Sequence, residues 1–339
     1  MRSDKSMSTF GLKAFSFIIS HLSIFFSHFL FFIFLFSFSS ARAQVFVELN
    51  CENLFDIEHD EGKNDQEFMP DGSRRWTRTR YWNKLNGVGQ VILSCSDQLP
   101  DLIALVEVEN DSVLHDLTKR SLLRGAGYEY LMTQSPDLRG IDVALLYQPL
   151  RFRPLCYDYL EVPPLKDMRS TRDILYIKGE TPRADTLHLF VLHAPSRYGG
   201  ELQTRPHRRQ VMNVVLNAID SLKGSNIIVA GDFNDYADSP SLRQLSGSGL
   251  INVTEGAKGA NGRAQGTYRY QGEWHSIDHV LVSQPLYEHV DSVYINDAPF
   301  LLEEETTYGG WKPRRTYNGY SYQRGYSDHL PLVVKFSLF

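Results

Sequence analysis

Ile227-Ile228-Val229-Ala230-Gly231-Asp232-Phe233-Asn234-Asp235 runs from an apolar, largely β-branched segment straight into a carboxylate, an amide and a second carboxylate. Such an ending delivers polar groups from a buried strand to the rim of a core. Asp232 and Asn234 are two residues apart, so on an extended chain their side chains leave on one face, where they could share a water or a metal ion. A strand closing in an ordinary Gly-Asp/Asn turn would look the same. Partners from the rest of the chain decide between the two readings.

The same design recurs. Val45 to Leu49 alternates into Asn50-Cys51-Glu52-Asn53-Leu54-Phe55-Asp56, and Leu102-Ile103-Ala104-Leu105-Val106 ends in Glu107-Val108-Glu109-Asn110. Thr186 to Leu192 delivers His193, Ile277-Asp278-His279-Val280-Leu281-Val282 carries an acid at its start, and Ser327-Asp328-His329 leads into a closing strand, Leu330 to Phe336. Further strands are predicted over 128–132, 142–147 and 174–178, and helices over Tyr81 to Ser94, Val113 to Arg124 and Pro206 to Leu222. The stretches 59–80 and 252–268 read as loops and Pro149 to Met168 as a Pro-rich connection.

Residues 1–43 stand apart. A polar start with Arg2, Lys5 and Lys13 precedes an apolar, aromatic run from about Phe15 to Phe38, and Ala41-Arg42-Ala43 forms a cleavage pattern before Gln44. This reads as a signal peptide on an exported protein, periplasmic or secreted, with an uncleaved membrane anchor as the alternative. The remaining 296 residues, 44–339, read as one domain without repeats. They keep 31 of the 35 basic and 39 of the 40 acidic residues, a net charge of −8, which excludes a tight sequence-independent nucleic-acid binder but not transient contact with such a substrate. Three cysteines make a poor disulfide framework, and Cys51 and Cys95 read as small buried thiols.

Asn50, Glu107, His193, Asp232, Asn234, Asp278, Asp328 and His329 thus cluster at strand ends or loops. Each has a structural explanation alone, as a cap, a turn acid or a satisfied histidine. Together, hard oxygen donors such as Glu107 and Asp328 suit magnesium or calcium, thiolate or multi-histidine zinc clusters are absent, and oxygen ligands with histidines point to hydrolysis at phosphorus.

The ordered series Asn50-x-x-Asn53-Leu54-Phe55, Ile103-Ala104-Leu105-Val106-Glu107-Val108, Val191-Leu192-His193, Gly231-Asp232-Phe233-Asn234, Ile277-Asp278 and Ser327-Asp328-His329-Leu330-Pro331 resembles the endonuclease/exonuclease/phosphatase superfamily over essentially all of residues 44–339. The resemblance implies a four-layer α/β/β/α sandwich, two mixed β-sheets face to face with helices outside and the site at one end. It implies a metal-dependent phosphoric ester hydrolase using Mg2+, with Mn2+ or Ca2+ possible. It makes Glu107 the principal metal ligand with Asn50 and Asp328 beside it. Asp232 would activate water, Asn234 would position that water or a phosphate oxygen, His193 and His329 would bind non-bridging oxygens, and Asp278 would hold His329. Glu109, two residues past the motif, is a surface acid or a supporting group. The sequence departs from the family at Val106, where Gln is frequent, and at Ser276, where Arg is frequent.

Phosphodiester hydrolysis by a monomeric nuclease of low sequence specificity is the reading of the activity. The alternatives are a phospholipid or sphingomyelin phosphodiesterase, a phosphomonoesterase, and a non-catalytic binding protein on the same fold. Arg74, Arg75, Arg78, Arg80, Arg197, Arg205, Arg208, Arg209, Arg314 and Arg315 flank the motifs, either as solvated loop residues or as phosphate ligands. Trp76, Tyr198, Trp274 and Trp311 could stack on bases or a sugar, or pack loops.

Overall fold

The computed structural model describes residues 43–337 apart from 167, so the leader read over 1–43 lies, but for its last residue, outside the described residues. Two six-stranded mixed sheets form the body of the described residues, with three two-stranded ribbons besides them. Sheet 1 comprises β1 (Gln44–Leu54), β2 (Leu102–Val108), β3 (Glu129–Met132), β4 (Asp142–Tyr147), and two later strands. Sheet 2 comprises β5 (Arg153–Leu160), β6 (Ile174–Glu180), β7 (Thr186–His193), β8 (Asn226–Asp232), β9 (Leu250–Asn252) and β10 (Asp278–Ser283), and β11 (Val290–Ile295) and β12 (Leu332–Phe336) then complete sheet 1. The strand orders are β11-β12-β1-β2-β4-β3 and β5-β6-β7-β8-β10-β9. Each sheet has one parallel pair, β1/β2 and β7/β8, and every other pairing within it is antiparallel.

Parallel neighbours need a crossover, and helices supply both. Helix α1 (Arg78–Leu93) joins β1 to β2. After the short α2 (Asp111–His115), α3 (Glu201–Ile219) joins β7 to β8, and α4 (Pro240–Gly247) follows. Alternation along the strands decides what each face meets. Phe190, Leu192, Val229 and Leu281 gather under Val211, Met212 and Val215 of α3 and Leu242 and Leu245 of α4. Their neighbours Leu189, Val191, Ile228, Ala230, Val280 and Val282 enter the core shared with sheet 1. On β1, Leu49 and Cys51 meet Val88 and Val91 of α1, while Asn50 reaches Asp232 across the gap between the sheets. The order helix, sheet, sheet, helix is the four-layer sandwich, and each large apolar side chain buried in it contributes roughly 1.5–3 kcal/mol.

Gly231 is where the opening stretch is least replaceable. Its φ is +142°, and a Cβ there would lie 1.8 Å from the carbonyl oxygen of Leu192 on β7. Only glycine lets β7 and β8 approach while aiming Asp232 inward.

Three elements differ from the sequence reading. Arg153 to Leu160 is an edge strand rather than connection; it is mostly exposed, so it lacks an apolar stripe, and the edge tolerates Pro154. Helix α3 begins at Glu201, five residues before Pro206, because Glu201 ties its own first turn through Arg205 and Arg208. The helix expected over 113–124 breaks after His115 into a π-turn and a 3-10 turn, where Thr118 and Ser121 hydroxyls bond back to the Leu114 and Leu117 carbonyls. Cys51 and Cys95 are buried free thiols, which burial pushes up to about 12. No helix among the described residues is long and apolar enough to cross a membrane.

Candidate active site

Strand register assembles the wall on sheet 2. His193 at the end of β7 and Asp278 at the start of β10 both lie opposite Asp232 at the end of β8, so the three share the inner face. Asp232 Oδ2 accepts the Asn50 amide at 3.1 Å and lies 3.7 Å from His193 Nε2, and its Oδ1 accepts the Asn234 backbone N–H at 2.8 Å. Asn234 holds the turn at φ +50° and donates its side-chain amide to Ala194 O at 3.0 Å. Burial first, then the charge of Asp278, pushes the Asp232 carboxyl up to about 7, while His329 and the Asn234 N–H oppose the rise. A carboxylate poised near neutrality suits a general base.

Asp278 holds His329. Its carboxylate lies 2.8 Å from His329 Nδ1 and also accepts the Thr267 hydroxyl, and the Tyr268 ring packs on the imidazole at 4.9 Å. Burial alone would lower the His329 pKa, but Asp278, with Asp328 and Asp232, holds it well above its ordinary value. Nδ1 faces Asp278, so Nε2 is the free donor. His193 behaves oppositely. Burial, then the nearby Arg172, pushes it well below its usual range, and its Nδ1 has no hydrogen-bond partner among the described residues.

The wall on sheet 1 is built around Glu107, which takes φ +61° at the irregular end of β2. Its Oε2 accepts the Asn53 backbone N–H at 2.9 Å, Arg139 spans both oxygens at 3.2 and 3.3 Å, and His193 Nε2 lies 3.9 Å from Oε1. Burial would raise this carboxyl, but Arg139, then His193 and His329, hold it down at about 2. Asp328 is partly exposed and accepts Arg315 at 2.6 Å. Asn50 turns its amide to Asp232 and its oxygen to the Glu52 N–H at 2.9 Å, so it bridges the two walls instead of resting on Glu107.

The donor set fits a hard cation. Glu107 is ionised, Asp328 and the Asn50 oxygen are further oxygen donors, and all come from the sheet 1 side. Asp232, Asp278 and His329 also carry ligand atoms within 4.8 Å of one another. A cationic imidazole has no lone pair to offer, so His329 joins such a set only as the neutral ring, with Nε2 as its ligand atom.

Several site groups escaped the sequence reading. Arg139 and Arg172 precede β4 and β6, the antiparallel neighbours of β2 and β7; their positions follow once those pairings are known. Glu48, two residues before Asn50 on β1, is fully buried, with neither carboxyl oxygen hydrogen-bonded among the described residues. Burial, then Asp278 and Asp232, pushes it well above the usual carboxylate value. Its alternation with Asn50 was the only signal. Glu109 is not a surface acid: it is buried, accepts the Asp56 N–H, and burial pushes it up to about 9. Four of the ten flanking arginines are tied up in structural contacts. Arg74 and Arg80 pack on Tyr317 and Tyr322, Arg205 pairs with Glu201, and Arg208 is buried against Asp235. Trp76 is buried and donates to Phe55 O, so it packs a loop.

The fold resembles that of solved structures at low sequence identity. An endonuclease/exonuclease/phosphatase family protein from Bacteroides thetaiotaomicron superposes with TM-score 0.58 at 16% identity, covering 87% of this chain and 97% of its own. The human Nocturnin catalytic domain gives 0.54 at 17% identity over 88% and 95% of the two chains. A mannosyl-6-phosphatase from Bacteroides thetaiotaomicron gives 0.55 at 16% identity over 87% and 100%. No curated protein matches the chain. The model of the endonuclease/exonuclease/phosphatase family matches residues 45–337, nearly the whole described chain, and the protein belongs to that family of phosphoric ester hydrolases.

Proposed function

We propose that the protein is an exported, magnesium-dependent phosphodiesterase, a nuclease of low sequence specificity that binds nucleic acid transiently and acts as a monomer. The observation that carries the chemistry is the split of acidities across one buried cleft end: Glu107 held down at about 2, and Asp232 raised to about 7. One carboxylate is permanently charged, as a cation ligand must be; the other can take a proton at neutral pH.

In this reading Glu107, with Asn50 and Asp328, would hold magnesium, with manganese or calcium as substitutes. The ion would supply charge stabilisation to a phosphate oxygen. Asp232 accepts the proton of the attacking water, which Asn234 positions. His329, kept cationic by Asp278, donates from Nε2 to a non-bridging oxygen, and neutral His193 donates a second hydrogen bond from the same wall. These donors stabilise the transition state more than the ground state because negative charge grows where they point.

A phosphomonoesterase is the second reading. It is favoured by Arg139 and Arg315 beside Glu107 and Asp328, because two further guanidinium groups suit a dianionic phosphate. The test is hydrolysis of plasmid DNA, RNA, sphingomyelin, a bis-aryl phosphate and sugar phosphates, each with magnesium and with chelator. Chelator-sensitive nicking of DNA or RNA is expected. Turnover of sugar phosphates alone would transfer the assignment to the second reading, and no turnover at all to a binding protein.

A further inference from the structure

Arg139 sits in an anchored turn before β4, and its guanidinium reaches from that turn onto Glu107. Asp137 Oδ1 accepts the Arg139 N–H at 2.9 Å, Leu138 O accepts the Asn64 N–H at 2.7 Å, and Gly140 packs on Lys63 at φ +79°. The side chain remains 43% exposed. Its fork spans Glu107, Nη1 to Oε1 at 3.3 Å and Nη2 to Oε2 at 3.2 Å, and Nη2 also reaches Asn53 Oδ1.

A divalent cation held by Glu107 takes one or both of these same oxygens, and the Asn53 N–H already occupies one of them. Cation and guanidinium therefore compete for one carboxylate. Arg315 is placed differently, since it has a second carboxylate, Glu52 at 3.8 Å, beside its contact with Asp328. Among the described residues Glu107 is the one carboxylate within ion-pair distance of Arg139. Once a cation neutralises it, the fork is free for another anion that presents two oxygens side by side, and a tetrahedral phosphate does so with any two of its oxygens.

We propose that Arg139 is a two-position group whose guanidinium rests on Glu107 and passes to the substrate phosphate when a divalent cation takes Glu107, so that cation and phosphate binding reinforce each other through it. By linkage, the factor by which phosphate tightens cation binding equals the factor by which the cation tightens phosphate binding. The proposal rests on Glu107 as the cation ligand, and the experiment separates the two.

Mn2+ affinity of the full chain is measured by calorimetry, with and without inorganic phosphate, for wild type, Arg139→Gln, Arg139→Lys and Glu107→Gln, with thermal melts to verify folding. Arg139→Gln is expected to bind Mn2+ alone about tenfold more tightly than wild type, and phosphate is expected to add only about threefold where wild type gains on the order of thirtyfold. Arg139→Lys, with charge but no fork, falls between. Unchanged Mn2+ affinity in Arg139→Gln overturns the competition. Tighter Mn2+ binding with undiminished phosphate enhancement overturns the transfer and leaves Arg139 as a neutraliser of Glu107. Wild-type Mn2+ affinity retained in Glu107→Gln overturns the ligand assignment itself, and the switch with it.

Discussion

The two sheets are built to one plan and end in opposite electrostatics. In each, a parallel pair joined across a helix is flanked by antiparallel strands whose starts lie at the same end as the pair's finish. β4 starts with Asp142 beside β2, and β10 starts with Asp278 beside β8. Both acids even accept a threonine hydroxyl, from Thr133 and Thr267. Yet Glu107 on sheet 1 is held at about 2 and Asp232 on sheet 2 is pushed to about 7. Both are buried, so burial does not separate them. Arg139 lies directly on Glu107, whereas Arg172, the corresponding cation of sheet 2, is spent on Asp137 and Ala194 O and leaves Asp232 facing Asp278. One plan yields a carboxyl held acidic and a carboxyl raised toward neutrality because the arginine contacts differ.

The largest effects should come from removing either end of that contrast. Asp232→Asn and Glu107→Gln are each expected to reduce kcat/KM by about 10³–10⁴. They should part on metal binding: Asp232→Asn keeps it and Glu107→Gln loses it. If both variants bound Mn2+ like wild type, the division of labour between the sheets would be wrong.

Asp278→Asn should come next, at about 10²-fold in kcat, because His329 loses the carboxylate that orients it and keeps it charged. The pH profile sharpens the point. Wild-type kcat/KM should rise with pH through about 7 as Asp232 ionises, and in Asp278→Asn that limb should move to lower pH, since Asp278 is the charge that raises Asp232. A limb that stays in place would assign it to another group.

The same variant tests stability. His329 has a folded pKa well above its unfolded value near 6.5. Stabilisation by the pair is therefore complete below about pH 6.5 and is lost as pH rises through the elevated folded value. Asp278→Asn is expected to cost about 3 kcal/mol at pH 6, by denaturant titration, and less in strongly alkaline buffer. A deficit that grew with pH would contradict the charged pair.

Much of this was legible because the chain writes its site at strand ends. An apolar run that stops at Asn50, Glu107, His193 or Asp232 must leave a polar group at the edge of the core, whereas Asp278 joins Asp232 on one face only through the pairing of β10 with β8. Illegible were features set by which strands are neighbours. Arg139 and Arg172 are ordinary loop arginines until β4 is known to pair with β2 and β6 with β7. β5 is an edge strand, so no apolar stripe marks it. Asn50 illustrates a finer limit: its strand position was readable, but its choice between Glu107 and Asp232 depends on the distance between two sheets.

The smallest expected effect concerns Arg172, and it asks whether the sheet 2 arginine acts at a distance where the sheet 1 arginine acts by contact. Arg172 touches neither Asp232 nor His193; it bonds Asp137 and Ala194 O, each at 3.1 Å. After burial, however, its charge is the largest influence lowering the His193 pKa. Arg172→Gln should therefore raise the His193 titration midpoint, read from its imidazole NMR signals, while kcat at pH 8 falls only a few-fold, because a neutral imidazole still supplies its one N–H there. As pH drops toward 6 the variant should diverge further from wild type, since His193 then gains a proton that Arg172 had kept off. An unmoved midpoint would mean that burial, with Arg139 and His329, keeps His193 neutral without Arg172, and the two arginines would differ in kind rather than in reach.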